Sequence, residues 1–382
     1  MINSIYNLKI DPKKSQDSYL HNQLDGKNYL DFMSMYSSLA LGYNHEVFKR
    51  PEFLESVNKW AGIRVTNCEH TSDEREIFEK DFIEFSSFGI FKNPHFTCTG
   101  SLAVEHAVKM AFEYSDKKNP KVISHNKSFH GITSYGNIVT GREGGVYKRL
   151  NGFPGDNVWP KFNDLVDLEY SIKKDPSISA ILFEPIQCTN GDIYYSFSFF
   201  KGLREIADKY DIPLIYDEIQ TGFCTSGKTW YFENTGYKPD ILIFGKKSQV
   251  SGAMAIQKIS DKVIDPSRYC VTWDGDIIDM IRSTYIIKAI KEKDLKGNAI
   301  KQGYKLHTGL EEIGLMNVRS CGLLVAFDFK NQEQRNSFII RSKNNGLLVN
   351  SAGDTSIRIR PNLSVKDEEV KEALEIIKKS IL

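Results

Sequence analysis

The sequence predicts an α/β protein: a large domain built on a mostly parallel, doubly wound sheet, and a smaller α+β domain assembled from both termini. Three observations predict it. From Phe96 onward, short apolar runs alternate with helical stretches, as in βαβ units. Two of these runs, residues 214–216 and 241–244, are branched-rich and bounded by turn signals, like strands buried on both faces of a parallel sheet. The last third again mixes strands and helices, but no second strand end carries a comparable charged motif. The boundaries are expected at 49–275 for the large domain, with 1–48 and 276–382 forming the small one.

A chain of 382 residues is long enough for two domains and a substantial core. Its net charge of +1 offers no electrostatic case for nucleic acid or a membrane surface. Six cysteines, Cys68, Cys98, Cys188, Cys224, Cys270 and Cys321, are scattered without a CxxC pair. Neither a disulfide framework nor a structural zinc is expected, and a reducing cytoplasm fits. The first residues lack the apolar core of a signal peptide, and no apolar run is long enough to span a bilayer.

Taken in order, residues 19–21 and 29–32 flank Asp25-Gly26, a strong hairpin signal. Residues 33–42 are irregular and aromatic-rich. Helices are expected at 48–60 and 73–85, the second with acidic residues near its start. Small residues 97–101 form a turn that opens a helix over 104–114. Strands follow at 121–124 and 180–183, the latter ending at Glu184-Pro185. Residues 141–160, rich in Gly, Asn and Pro, read as a long loop. A helix at 199–210, with Leu203, Ile206 and Ala207 on its apolar face, leads into strand 214–216. A helix at 278–293, strands at 323–329 and 356–360, and helices at 333–344 and 365–381 complete the chain.

The first buried strand ends in Asp217-Glu218, the second at Gly245, Lys246 and Lys247. In open α/β sheets, chemistry sits beyond the carboxyl ends of the strands. A carboxylate and an amine are thus offered to one sheet edge. An aldehyde cofactor held as a lysine Schiff base, with an acid pairing a ring nitrogen, needs that combination. Two surface strand ends carrying solvated charges would read the same way.

The run Asp-Glu-Ile-Gln-Thr-Gly at 217–222, Pro-Asp-Ile at 239–241 and Gly-Lys at 245–246 resembles the signature of class III aminotransferases. These are fold-type I enzymes that use pyridoxal 5'-phosphate (PLP). The variant Phe-Gly-Lys-Lys-Ser-Gln-Val-Ser-Gly at 244–252 is similar to lysine 6-aminotransferases. The resemblance runs from about Tyr19 to the C-terminus.

The resemblance implies a role for each matching residue. Lys246, six positions past Asp240, is the Schiff-base lysine and proton shuttle. Lys247 is set aside because neighbours on an extended segment point to opposite faces. Asp217 pairs with the pyridinium nitrogen, and Gln220 lies near the cofactor's 3'-oxygen. Glu184 lies close to cofactor and substrate, while Glu218 is structural. Gly100 and Ser101 form the phosphate cup; alone, they would be an ordinary helix start. Phe129 stacks on the ring with His130 close by. Thr272 reaches the phosphate of a partner subunit, which implies a homodimer with shared active sites; its bland alternative is a strand residue on a surface ladder. Arg358 binds the substrate's α-carboxylate. Arg360, two residues on, is the alternative, since strand alternation puts both on one face.

Three departures fall on the substrate side. Lysine, ornithine and acetylornithine aminotransferases carry an arginine where this chain has Ile132. Lysine and ornithine enzymes carry a glutamate where this chain has Thr189. Their Trp-Gly-Gly-Asn run is Trp273-Asp274-Gly275-Asp276 here. The chain is also shorter, notably between Trp159 and Glu184. The resemblance implies an aminotransferase that moves an amino group between a primary amine and a 2-oxo acid such as 2-oxoglutarate, with an altered substrate shell. Alternatives on the same fold are an aminomutase, racemase or decarboxylase, or a non-catalytic binding protein. Arg142, Lys148 and Arg149 are the nearest substitutes by chain position for the missing arginine.

Overall fold

The computed structural model of the protein describes residues 6–66, 69–141, 159–263 and 266–381. The chain divides into two compact units. One comprises Met1–Ser56, Phe223–Thr229 and Tyr285–Leu382; the other comprises Val57–Gly222 and Trp230–Thr284.

The first unit opens with the expected hairpin. Strands β1 (Tyr19–His21) and β2 (Asn28–Asp31) pair antiparallel, and Gly26 takes a φ of +70° in the turn between them. Beyond β2, Ser34, Met35, Tyr36 and Ser37 adopt φ values of +46°, +50°, +57° and +72°. This left-handed turn is held by the buried Asp31 carboxylate. It accepts the N–H groups of Met33 (3.0 Å) and Ser34 (2.8 Å) and the Tyr43 hydroxyl (2.7 Å). The helix expected at 48–60 is split. A 3-10 turn, Glu46–Lys49, ends at Arg50 with ψ 137°, and the α-helix is Pro51–Trp60. The pyrrolidine ring of Pro51 disfavours helical geometry at the residue before it.

The second unit is built on a sheet of β3 (Phe91–Thr97), β4 (Lys121–His125), β5 (Lys161–Phe162), β6 (Ile178–Phe183), β7 (Leu214–Asp217), β8 (Ile241–Phe244) and β9 (Ser251–Ile256). Their order is β3-β9-β8-β7-β6-β4-β5. Neighbours from β8 to β5 run parallel, whereas β9 runs antiparallel to both β3 and β8. The carboxyl ends of β3, β4, β6, β7 and β8 therefore share one edge. β9 is absent from the sequence reading because Ser-Gly-Ala-Met-Ala-Ile contains one β-branched residue. Small residues are needed there: a Cβ on Gly252 would lie 2.1 Å from the His95 carbonyl oxygen.

The helix Gly100–Ser115 lies against this sheet. Its Ala103, Val104, Ala107, Val108 and Ala111 are wholly buried in one cluster with Ile215, Ile241 and Ile243. Burial of this apolar surface stabilises the unit and fixes the start of the helix against the sheet edge. Helices Asp73–Ser86 and Phe197–Lys209 match expectation to within two residues. Leu165–Lys174 is a helix that the sequence reading left unassigned.

The chain returns to the first unit with β10 (Met316–Cys321), β11 (Leu324–Asp328), β12 (Leu347–Leu348), β13 (Asn350–Ala352) and β14 (Ser356–Ile359). These form a β10-β11-β14-β13 sheet, while β12 joins β2 in parallel. The helix Leu295–Glu312 is absent from the sequence reading, because Gly297, Gly303 and Gly309 weaken its signal. Gly303 has a packing reason: a Cβ there would lie 1.9 Å from the Gly322 carbonyl oxygen. Among the described residues, no helix is long and apolar enough to cross a membrane.

Candidate active site

The site is built at the carboxyl edge of the second unit's sheet. Asp217 is the last residue of β7 and is buried. Its Oδ2 accepts a hydrogen bond from Nδ1 of His130 at 2.8 Å, and its Oδ1 accepts the N–H of Ile219 at 3.1 Å. A carboxylate offers only acceptors, so the imidazole carries the proton on Nδ1 in this pair. The backbone N–H of His130 donates to Thr140 Oγ1 (3.0 Å), and that hydroxyl donates to the carbonyls of Gly131 and Gly136. His130 is thus locked from both ends, and the side chain facing it is Asp217.

On the neighbouring strand β8, Ile243 stands opposite Asp217. Lys246 follows three residues later, in a 3-10 turn, Lys246–Ser248, with φ +54°. The extended geometry used to separate Lys246 from Lys247 is therefore absent, since a 3-10 turn does not alternate faces. Lys247 is 1% exposed, and Lys246 is partly exposed. A left-handed lysine costs about 1–3 kcal/mol and persists where its surroundings over-determine it. Gln249 does so here: its N–H and its amide both donate to the Lys246 carbonyl, at 2.8 and 3.0 Å.

At the end of β3, Thr99 caps the helix Gly100–Ser115 by accepting the Leu102 N–H. The first N–H groups of such a helix lack intrahelical partners and favour an anion. Gly131 (φ +119°) packs against this start, where a Cβ would lie 2.4 Å from Ser101 Oγ. Only glycine satisfies both the φ and the approach.

One residue that sequence reasoning missed joins these parts. Ile219 stands two positions after Asp217. Its side chain would meet a Cβ on Gly100 at 2.9 Å and one on Gly245 at 3.5 Å. The helix start, the acid and the lysine turn therefore converge on one isoleucine. Its chain position beside Asp217 was the available signal.

The other expected residues divide as follows. Glu184, buried just past β6, accepts the Phe129 N–H at 2.7 Å, so these two lie together. Gln220 is partly exposed, next to Ile219. Thr189 is buried, and Ile132 is 50% exposed. Thr272 lies on an exposed turn and not in a strand, so its bland alternative as a ladder residue falls away. In the first unit, Arg358 lies within β14. Arg360 lies just beyond the strand, wholly buried, with Nη1 donating to the carbonyls of Val325 and Ile359. Arg142, Lys148 and Arg149, and the loop expected at 141–160 apart from its ends, lie outside the described residues. Among the described residues, no group of three or more His, Cys, Asp or Glu side chains is placed to hold a metal ion.

Glu218 packs away from this edge. Its carboxylate accepts the N–H groups of Tyr231 (2.6 Å) and Phe232 (2.9 Å) and the Thr221 hydroxyl (3.0 Å). Burial nevertheless raises its pKa from 4.5 to about 7. A raised folded-state pKa means that the stability contributed by the neutral acid is present below 4.5 and lost as pH rises through about 7. Glutamine does not titrate. The drop in Tm caused by Glu218→Gln is therefore expected to shrink across that window, and a constant drop would contradict the burial effect.

The family model for class-III aminotransferases matches residues 2–381. The chain belongs to this family. An L-lysine-epsilon aminotransferase of Mycobacterium tuberculosis is 28% identical over 413 residues, covering 97% of this chain and 91% of the relative. An acetylornithine aminotransferase of Synechocystis is 28% identical over 379 residues, covering 94% and 86%. A solved structure of lysine aminotransferase from M. tuberculosis in the internal aldimine form superposes with a TM-score of 0.95 at 26% identity, covering all of this chain and 96% of that one. This class III aminotransferase has the fold-type I architecture, and its cofactor is pyridoxal 5'-phosphate. The residues at the sheet edge fit that group. A helix start suits the phosphate, a buried carboxylate the ring nitrogen, and a lysine the aldehyde, all ranged around Ile219.

Proposed function

We propose that this aminotransferase moves an amino group between a primary amine and a 2-oxo acid, with a substrate shell different from that of lysine aminotransferases. The observation that carries the reading is the Asp217–His130 pair at the end of β7, beside the left-handed Lys246 beyond β8. When bound, pyridoxal 5'-phosphate supplies the aldehyde that takes up the amino group and the ring that accepts an electron pair from the substrate carbon. Lys246 Nζ would hold the cofactor and would serve as the base that takes the proton from the substrate carbon. Asp217 keeps the ring nitrogen protonated, and His130 fixes the direction of its carboxylate. Gly100 and Ser101 receive the phosphate. Phe129 would cover the cofactor ring, Glu184 steadies Phe129 through its backbone, and Gln220 would serve the 3'-oxygen.

Thr272, exposed on its turn, supports a homodimer in which this residue reaches the partner's phosphate. The domain division is proposed at 49–275 against 1–48 with 276–382. A cytoplasmic setting is part of the same reading. Arg358 is the proposed ligand of the substrate's α-carboxylate. The commitment of Arg360 to two backbone carbonyls supports that choice.

The substrate pair is expected to differ from lysine and 2-oxoglutarate. Ile132 cannot pair with a second carboxylate, and Thr189 cannot screen Arg358. A buried anion without its cation costs several kcal/mol. The test is a screen of amines and 2-oxo acids by half-reaction, followed by kcat/KM for 2-oxoglutarate in wild type and in Ile132→Arg. The arginine is expected to raise that value about tenfold or more. Wild-type efficiency already at about 10⁴ M⁻¹s⁻¹, with no gain from arginine, would sink the altered-anchor reading. Isomerisation or decarboxylation without a keto-acid acceptor would instead favour the other PLP chemistries.

A further inference from the structure

We propose that Asn350 is a specificity-determining residue that receives the substrate's carboxylate together with Arg358, so that the amino donor is an amino acid and not a plain alkylamine. This rests on the reading of Arg358 given above and adds a second ligand to it. Strands β10, β11, β14 and β13 carry one cross-strand row. Arg319 stands opposite Ala326, Ala326 opposite Arg358, and Arg358 opposite Asn350. Residues directly opposite in antiparallel strands share a face, with Cβ atoms about 4.5–5.5 Å apart. The other face of this sheet is apolar. Ile357 and Ile359, on either side of Arg358 in the chain, are wholly buried. Phe327, opposite Ile357, meets Phe338 of the helix Gln332–Asn344 at 5.7 Å between ring centres. The row of Arg358 and Asn350 lies on the face turned away from that helix.

The two neighbours of Arg358 in the row differ. Ala326 has no side chain beyond Cβ. Asn350 is 5% exposed, and its Nδ2 is buried without a hydrogen-bond partner among the described residues. Arg319, at the far end, is committed: its Nη2 donates to Asp328 Oδ1 at 2.9 Å and to Ser356 Oγ at 3.0 Å. A buried amide N–H left unpaired is costly, and native structures rarely keep one without a use. The guanidinium and the amide N–H groups are donors only, so a group that pairs with both is an acceptor, and the positive charge selects an anion. A carboxylate has lone pairs for about four hydrogen bonds, of which the guanidinium fork takes two. Asn350 Nδ2 supplies a third donor without a second cation, which suits a single carboxylate.

The experiment compares L-lysine with cadaverine, which is lysine without its carboxylate. Each is mixed rapidly with the holoenzyme, and the concentration dependence of the change in cofactor absorbance gives an apparent Kd. Wild type is expected to favour lysine, and Arg358→Ala to lose that preference. Asn350→Leu, similar in volume but without a donor, is expected to lower the lysine-to-cadaverine preference about tenfold, the scale of one lost hydrogen bond to a charged group. Asn350→Asp is expected to lower it further, because its carboxylate competes with the substrate for Arg358. A wild type that does not favour lysine, or a preference that survives Arg358→Ala, would overturn the Arg358 reading itself. A preference lost in Arg358→Ala but unchanged in both Asn350 variants would overturn the role of Asn350 alone, as would variants that weaken both compounds equally.

Discussion

Lys246→Ala is expected to abolish turnover and the visible absorbance of the bound cofactor, whereas Lys247→Ala keeps both. On the proposed reading, the alanine at 246 removes both the amine that would hold the cofactor and the base that would move the proton. The expected loss is about 10⁴-fold, the upper end of what a positioned acid–base group contributes. That corresponds to about 5.5 kcal/mol of barrier. Two observations single out Lys246. It sits six residues past Asp240, which is itself anchored by donating its N–H to the Leu214 carbonyl and by accepting Arg204 Nη1 at 2.9 Å. It also holds a left-handed φ of +54° in the 3-10 turn beyond β8. Lys247 is buried to 1% exposure, so its truncation is expected to lower Tm through lost packing while the cofactor stays bound. The two variants are compared by absorbance and steady-state rate. An absorbing Lys246→Ala beside a colourless Lys247→Ala would exchange the assignment.

Asp217→Ala is expected to leave a folded protein that releases its cofactor readily and turns over about 10³-fold more slowly. Two partners are lost at once. His130 Nδ1 loses its acceptor at 2.8 Å, and on the proposed reading the ring nitrogen loses the carboxylate that would keep it protonated. His130 is buried, so bulk water does not replace the lost acceptor. An unpaired buried imidazole N–H adds about 1–3 kcal/mol of destabilisation. Cofactor retention by gel filtration, Tm and kcat are the measurements. Near-normal turnover would show that some other group protonates the ring.

The groups at this sheet edge are brought there by both local and long-range structure. The acid, the lysine and the strands that present them are local: each apolar run ends at its own charged residue, so the strand and its payload are read together. The hairpin around Asp25-Gly26 and the helices at 73–85 and 199–210 are local in the same way, because turn chemistry and apolar periodicity lie within one stretch of chain. The His130–Asp217 bond is not local. It joins residues 87 apart and exists because parallel neighbours bring two strand ends to one edge. The convergence of Gly100 and Gly245 on Ile219 has the same origin.

Legible in the chain alone were the α/β class, the sheet edge at which the charged residues gather, and the types of group offered there. These follow from composition and period within short windows. Tertiary structure alone decided the rest. It made β9 a strand by pairing a weak, small-residue segment on both sides. It turned the lysine segment into a 3-10 turn, and it carried Arg360 to the carbonyls of Val325 and Ile359. It also carried the Glu184 carboxylate to the backbone N–H of Phe129, 55 positions away in the chain. The physical reason is common to all four. Buried backbone N–H and C=O groups must find partners, and which partner is near depends on how distant segments pack, not on the residues beside them in the chain.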